Sequence, residues 1–192
     1  MVIQPMDRRE AVSAALAHRG SDGLLVTGLG SSTWDAAAAG DTSLNFYLWG
    51  GMGGAAAMGL GLALAQPDRP VCVLTGDGEM LMGVGSLSTI ARKSPANLTI
   101  LVLDNGHYGE TGMQPSASDT TDLSALAAAC GFDGSRTIGT MEDLQADART
   151  YFAHSGLIFR RVLIATGEAP RVLPEKDGVV LKERFRAAVL SG

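Results

Sequence analysis

The chain has 192 residues, 46% of them apolar and 18% charged, and a formal net charge of −5. Its basic residues are scattered as isolated pairs (Arg8-Arg9, Arg92-Lys93, Arg160-Arg161) without interleaved aromatics, which argues against a nucleic-acid or anionic-membrane partner. The longest apolar stretch, residues 50–65, falls short of the roughly 18 to 20 residues that a membrane span needs, and no apolar signal core follows the charged Asp7 to Glu10.

Strands alternate with helix-length segments, the pattern of an α/β domain with a doubly wound, mainly parallel sheet flanked by helices. A helix is expected over Asp7–Arg19, then a short strand over Leu24–Thr27. The turn Gly28-Leu29-Gly30-Ser31-Ser32 leads into a helix over Thr33–Ala39. Phe46–Trp49 reads as a strand and Met52–Gln66 as a helix despite its glycines, ended by the turn chemistry of Pro67-Asp68-Arg69-Pro70. Strand 71–75, helix 80–93 and strand 98–103 make a βαβ unit. Gly106–Thr121 is a long polar loop, the kind that is functional or disordered in a compact domain. Asp122 caps a helix over 123–130; strand 136–138, helix 141–154 (capped by Thr140) and strand 157–165 follow. Residues 170–177 are a linker before a terminal helix over 180–190. The expected organisation is one domain over 1–192, with a core over about 20–168 and a C-terminal extension and helix over 170–192.

Chemistry gathers at two strand ends. Val71–Thr75 runs into Gly76-Asp77-Gly78, and Leu98–Leu103 runs into Asp104-Asn105-Gly106. Open α/β sheets bind ligands at that edge. Asp and Asn oxygens suit magnesium, which takes few protein ligands and fills its shell from phosphate oxygens. Flanking glycines let the backbone approach a ligand, and the amides opening the next helix can face phosphate oxygens. Gly-Asp-Gly by itself is also an ordinary turn. Glu79 favours the helix N-terminus, yet its charge opposes a diphosphate unless it points away. Cys72 and Cys130 form no metal or redox spacing and read as small buried hydrophobes. His18 and His154 read as structural or solvated.

Gly76-Asp77-Gly78, followed after 26 residues by Asn105 at the end of an apolar strand, resembles the thiamine-diphosphate fingerprint. The resemblance spans about residues 7–190 and implies the thiamine-diphosphate-binding fold. It implies magnesium held by Asp77, Asn105 and the carbonyl of His107, with Gly76, Gly78, Glu79 and Tyr108 around the cofactor. Trp49-Gly50-Gly51-Met52-Gly53 is similar to the element preceding that fingerprint. There a glycine carbonyl (here Gly50) accepts from the aminopyrimidine, and a bulky residue (here Met52) bends the cofactor; Met52 read alone is a core residue. The turn with Gly30 and Ser31 lies near the diphosphate in the family, or is a plain strand-to-helix turn with a serine N-cap.

The run from Asp104 to Pro115 resembles the loop of the sulfopyruvate and phosphonopyruvate decarboxylase branch, as do Asn45-Phe46-Tyr47 and the Phe185 helix. This implies a decarboxylase (a carboxy-lyase) acting on an acidic 3-substituted pyruvate, with His107 and Thr111 as catalytic residues of a substrate loop that includes Gly112 and Gln114. The His107 side chain can instead face solvent, and Glu110 is either catalytic or a solvated loop charge. Glu79 and Glu110 depart from the branch by adding negative charge. The glutamate that activates the cofactor belongs to a pyrimidine-binding domain in this family, and the chain has no room for one. The resemblance therefore implies a β-type subunit in a hetero-oligomer with a dimeric core, inactive without a separate α-type chain. The Gly/Ala-rich helix 53–65 and the loop 106–121 are the expected docking surfaces, and the expected setting is a soluble, cytoplasmic one. The other readings are a carboligase or other thiamine lyase subunit and a non-catalytic thiamine-diphosphate-binding module. A nucleotide-binding domain is disfavoured, because no Gly-x-Gly-x-x-Gly run or phosphate-loop lysine is present.

Overall fold

The computed structural model describes residues 5–154 and 156–191; Gly192, the end of the expected C-terminal segment, lies outside them. Helix α1 (Arg8–Leu16) precedes strand β1 (Leu24–Thr27), helix α2 (Ser31–Gly40) and strand β2 (Asn45–Tyr47). Helix α3 (Ala55–Ala65) leads to β3 (Val71–Gly76), then α4 (Asp77–Met82) and α5 (Ser86–Lys93). Strand β4 (Leu98–Asp104) opens onto a hairpin of β5 (His107–Tyr108) and β6 (Gln114–Pro115). Then come α6 (Leu123–Cys130), β7 (Arg136–Ile138), α7 (Met141–Ala148), β8 (Ile158–Leu163) and α8 (Gly178–Leu190).

Six strands form one sheet in the order β2-β1-β3-β4-β8-β7, and each pairing is parallel. A parallel sheet needs helices on both faces, and alternate residues of each strand feed two cores. Leu25, Cys72, Leu74, Leu101 and Val162 pack under α1, α2 and α7, through Val12, Ala36 and Leu144. Leu24, Val73, Ile100, Val102 and Phe159 pack under α3, α5 and α6, through Leu60, Ile90 and Leu123. Helix α8 covers the β2 edge, where Phe185 meets Phe46 edge-to-face with ring centroids 5.4 Å apart. The doubly wound α/β expectation holds.

Several elements differ from their sequence expectation, each for a local reason. The helix expected over 80–93 starts at Asp77 and is two helices, broken at Gly83-Val84-Gly85; Gly83 is the C-cap of α4. Thus Gly76-Asp77-Gly78 belongs to the junction and first turn of a six-residue helix. The loop 106–121 contains the β5–β6 hairpin and two turns of 3₁₀ helix. Helix α3 begins at Ala55 rather than Met52, and one face is buried on the sheet, with Ala56, Gly59 and Ala63 inward. Helix α7 ends at Ala148, not at residue 154. The caps Asp122 and Thr140 accept backbone hydrogen bonds as expected. Cys72 is fully buried, which pushes its thiol up to about 12, whereas Cys130 is half-buried. His18 and His154 are exposed. No helix among the described residues is long and apolar enough to cross a membrane.

Two features position the functional edge. The β3–β4 ladder runs from Val71↔Leu98 to Gly76↔Leu103, so both strands end level. Met6 pairs in parallel with Ile164 just past β8, which brings α1 to the same edge. There the buried Asp35 holds both Arg8 and Arg9.

At the β7–β8 side, Asp147 binds Arg160 and Arg136, each at 2.5 Å. Burial pushes its carboxyl up, but the hydrogen bond and charge of Arg160 outweigh this and hold it below the usual carboxylate range. The stability from these pairs is therefore present above the ordinary carboxylate range and is lost as pH falls through the depressed value. Asp147→Asn should lower Tm at neutral pH and flatten the acid limb of the Tm–pH curve; thermal unfolding across the acid range checks this.

Candidate functional site

A cavity of about 270 Å³ opens at the carboxyl ends of β1, β3 and β4. Its walls come from the β1–α2 turn (Leu29, Ser31, Ser32), the loop before α3 (Met52), the β3–α4 junction (Gly76 to Glu79) and the segment after β4 (Asn105, His107 to Thr111). Of the residues singled out in the sequence, Ser31, Met52, Gly76, Asp77, Gly78, Glu79, Asn105, His107, Tyr108 and Thr111 line it together. Gly30 and Gly50 are not in its lining: Gly30 sits against Glu110, and Gly50 is exposed in the loop that carries Met52.

Asp77 is 2% exposed. Its Oδ2 accepts from the hydroxyls of Ser116 and Ser118. Burial, reinforced by the nearby Asp104 charge, pushes its carboxyl above the usual range, against the serine hydrogen bonds. A buried carboxylate with a raised pKa at a cavity wall is a group poised for a positive ligand. Asn105 closes a tight turn, its Oδ1 accepting from the His107 amide at 2.9 Å. The His107 ring Nδ1 lies 2.8 Å from the Asn105 carbonyl. A carbonyl only accepts, so Nδ1 carries the proton and Nε2 is the open nitrogen. Among the described residues there is no group of three His, Cys, Asp or Glu able to hold a metal. At the two strand ends the hard donors are instead the Asp77 carboxylate, the Asn105 carboxamide and backbone carbonyls, a set that suits magnesium completed by phosphate oxygens.

Glu79 answers the charge problem posed by its position. Its carboxylate is 5% exposed and turned to the β1–α2 turn, where Oε2 accepts from the Leu29 amide at 3.0 Å. Burial pushes it up, opposed by Thr75 and by the amides of Leu29, Gly53 and Ala55. Glu79 thus ties the β1–α2 turn and the loop before α3 to the β3–α4 junction. Gly28 makes this possible: a Cβ there would lie 1.7 Å from Glu79 Oε2. Gly78 similarly admits Tyr108, whose ring would be 2.2 Å from a Gly78 Cβ.

The hairpin tip is self-bonded. Thr111 Oγ1 donates to Gln114 Oε1 and Gln114 Nε2 donates to the Thr111 carbonyl, both at 2.8 Å. Glu110 is exposed and bears on the cavity mouth. Trp49 Nε1 donates to the Glu175 carbonyl at 2.9 Å, pinning the Met52 loop to the segment before α8.

Residues that sequence reasoning missed come from far along the chain. Arg8 lines the cavity, oriented by Asp35 and by the Gly167 carbonyl. Ser116, Ser118, Asp104 and Arg161 form the layer beneath Asp77. Only the Arg8-Arg9 pair next to a helix start, and a Ser-x-Ser in the polar loop, hinted at them.

The Gly28–Glu79 fit yields a double-mutant test. Gly28→Ala should cost about 2 kcal/mol of stability by overpacking. The same change in a Glu79→Ala background should cost well under half of that. Equal losses in urea denaturation would show that the two side chains do not meet.

Residues 28–162 match the family described as "Thiamine pyrophosphate enzyme, C-terminal TPP binding domain". The chain is 38% identical over 187 residues to a phosphonopyruvate decarboxylase of Streptomyces viridochromogenes, covering 95% of this chain and 46% of that protein. It is 36% identical over 185 residues to the sulfopyruvate decarboxylase subunit beta of Methanothermobacter thermautotrophicus, covering 96% of this chain and 95% of that one. The chain thus spans under half the length of the phosphonopyruvate decarboxylases it matches. The fold is that of the thiamine diphosphate-dependent 4-hydroxybenzoylformate decarboxylase of Rhodococcus jostii, with a TM-score of 0.70 at 22% identity over 88% of this chain and 34% of that one. With the fingerprint residues gathered at one sheet edge and both sequence comparisons agreeing, this chain belongs to the thiamine pyrophosphate enzyme family and is a C-terminal TPP-binding domain of it.

Proposed function

We propose that the chain is the diphosphate-binding subunit of a 2-oxo acid decarboxylase acting on an acidic 3-substituted pyruvate of the sulfopyruvate or phosphonopyruvate kind. The observation that carries this reading is the near end-to-end correspondence with a protein named sulfopyruvate decarboxylase subunit beta, joined to a cavity whose wall combines Met52, Asp77, Asn105 and Tyr108.

Thiamine diphosphate, when bound, supplies the electron sink for loss of carbon dioxide. The chain's own residues bind and orient. Asp77, Asn105 and the His107 carbonyl would hold magnesium for the diphosphate, with Gly76, Gly78 and Ser31 beside it. Met52, on the cavity wall, and the Gly50 carbonyl would orient the cofactor's pyrimidine half, and Glu79 braces the loop that carries them. Arg8, held by Asp35, brings a guanidinium to the cavity wall, a local cation that favours an anionic group there. The hairpin residues His107 to Gln114 cover the substrate. His107, through Nε2, and Thr111 act on it as hairpin residues that line the cavity.

This division of labour needs a second, pyrimidine-binding chain that brings the activating glutamate. The outer side of α3 supports such docking: Met58 and Leu64 are exposed there, and Met82 at the end of α4 is 61% exposed. Exposed apolar groups clustered near a site mark an interaction surface. A hetero-oligomer built on a dimeric core follows from two such chains meeting across their cavities.

Two experiments test the reading. Purified alone, the chain should release no aldehyde from sulfopyruvate or phosphonopyruvate, and adding a pyrimidine-domain chain should restore turnover. Full activity without a partner would refute the split site. Asp77→Ala should abolish magnesium-dependent binding of thiamine diphosphate in calorimetry, and an unchanged affinity would refute the metal assignment.

A further inference from the structure

Beneath Asp77 lies a layer of buried polar groups drawn from three separate segments. Ser116 and Ser118, 4% and 3% exposed, follow strand β6. Ser116 Oγ donates to Asp77 Oδ2. Ser118 Oγ lies 2.8 Å from Asp104 Oδ1, 3.2 Å from Asp77 Oδ2 and 3.1 Å from Ser116 Oγ. Two hydroxyls carry two protons, and ionised carboxylates carry none. Ser116 gives its proton to Asp77, and the Ser118 proton is shared in a three-centre bond between Asp104 Oδ1 at 2.8 Å and Asp77 Oδ2 at 3.2 Å.

Arg161 completes the layer from β8. Its Nε binds Asp104 Oδ2 at 2.6 Å, and its Nη2 donates to the Ser118 carbonyl at 2.8 Å. Asp104 is thereby neutralised, and the backbone that carries Ser118 is clamped to the sheet. Asp77 is left as the carboxylate of this layer without a cationic partner among the described residues, and its Oδ1 receives no side-chain hydrogen bond there. Metal-ligating carboxylates are oriented by hydrogen bonds to the oxygen that does not face the metal.

We propose that Ser116 and Ser118 are positioning residues for Asp77, holding Oδ2 so that Oδ1 is the oxygen presented to a divalent cation in the cavity. This rests on the metal reading of Asp77 given above. Burial of the whole layer gives the hydroxyls no competing water, so their effect on the direction of the carboxylate is larger than it would be at a surface.

The test titrates Mn²⁺ into the full chain in the presence of thiamine diphosphate and reads the free ion by electron paramagnetic resonance. Asp77→Ala reports on the metal reading itself: loss of Mn²⁺ binding supports it. A wild-type chain without affinity, or an unchanged Asp77→Ala, overturns that reading and the proposal with it. Ser116→Ala and Ser118→Ala are each expected to weaken Mn²⁺ on the order of tenfold, and Ser116→Thr and Ser118→Thr, which keep the hydroxyl, to restore it. Alanine variants within about twofold of wild type, alongside a lost site in Asp77→Ala, overturn the positioning role and leave the metal reading standing. Weakened binding that neither threonine variant restores also overturns it, because lost packing rather than a lost hydroxyl then explains the effect. If Ser118→Ala does not fold, Ser116→Ala carries the same measurement, since it removes the hydrogen bond made directly to Oδ2.

Discussion

Gly76 stands opposite Leu103 on the parallel β3–β4 ladder, and the site is built outward from that register. Because the two strands end level, Asp77 and Asn105 emerge beside one another. A slip of one residue in either strand would turn each side chain to the other face and separate the pair. The register is held by core residues on both faces of the sheet: Cys72, Leu74 and Leu101 on one, Val73, Ile100 and Val102 on the other. The geometry of the site is thus a by-product of burying two strands completely, which is what a parallel sheet demands.

Around that pair the fold arranges three kinds of support. Glu79 pulls two loops onto the β3–α4 junction from within. The serine and arginine layer fixes Asp77 from below. The first helix, anchored by the Met6–Ile164 bridge, sets Arg8 at the rim. Each uses charge inside a low-dielectric setting, and each pairs that charge. Asp35 is matched by two arginines and Asp104 by one. Asp77 and Glu79 are the buried carboxylates of the site without an arginine partner among the described residues, and both are pushed up by burial. Glu79 turns its Oε2 to the Leu29 amide of the β1–α2 turn, which leaves Asp77 as the buried carboxylate beside Asn105 on the cavity wall.

The same economy explains the departures from the branch pattern. A glutamate after Gly-Asp-Gly would repel a diphosphate if it pointed into the cavity. It turns away because Gly28 leaves room for it and the Leu29 amide receives it. Glu110 sits out at the mouth, exposed, where solvent screens its charge. Neither glutamate therefore argues against an anionic ligand deeper in the cavity.

Much of the fold was legible in the sequence, because strand and helix periodicity, Asp122 and Thr140 caps and Pro/Gly turns are local signals. The fingerprint Gly76-Asp77-Gly78…Asn105 was legible for the same reason: its members are adjacent in sequence to the strands that place them. Local signals failed where glycines split α4 from α5, and where the polar run 106–121 folded back as a hairpin whose far end is held by Asp77 and Arg161. Arg8, Ser116, Ser118 and Arg161 have no periodic or motif signature. The pairs Arg8–Asp35, Ser116–Asp77, Ser118–Asp77 and Arg161–Asp104 are 27 to 57 residues apart, so only closure of the sheet brings them together. The sequence by itself determined the cofactor class and the order of the elements. The tertiary structure decided which way Glu79 points, what charge stands at the rim and which oxygen of Asp77 is free, because each of these depends on groups that meet only when the two cores are packed.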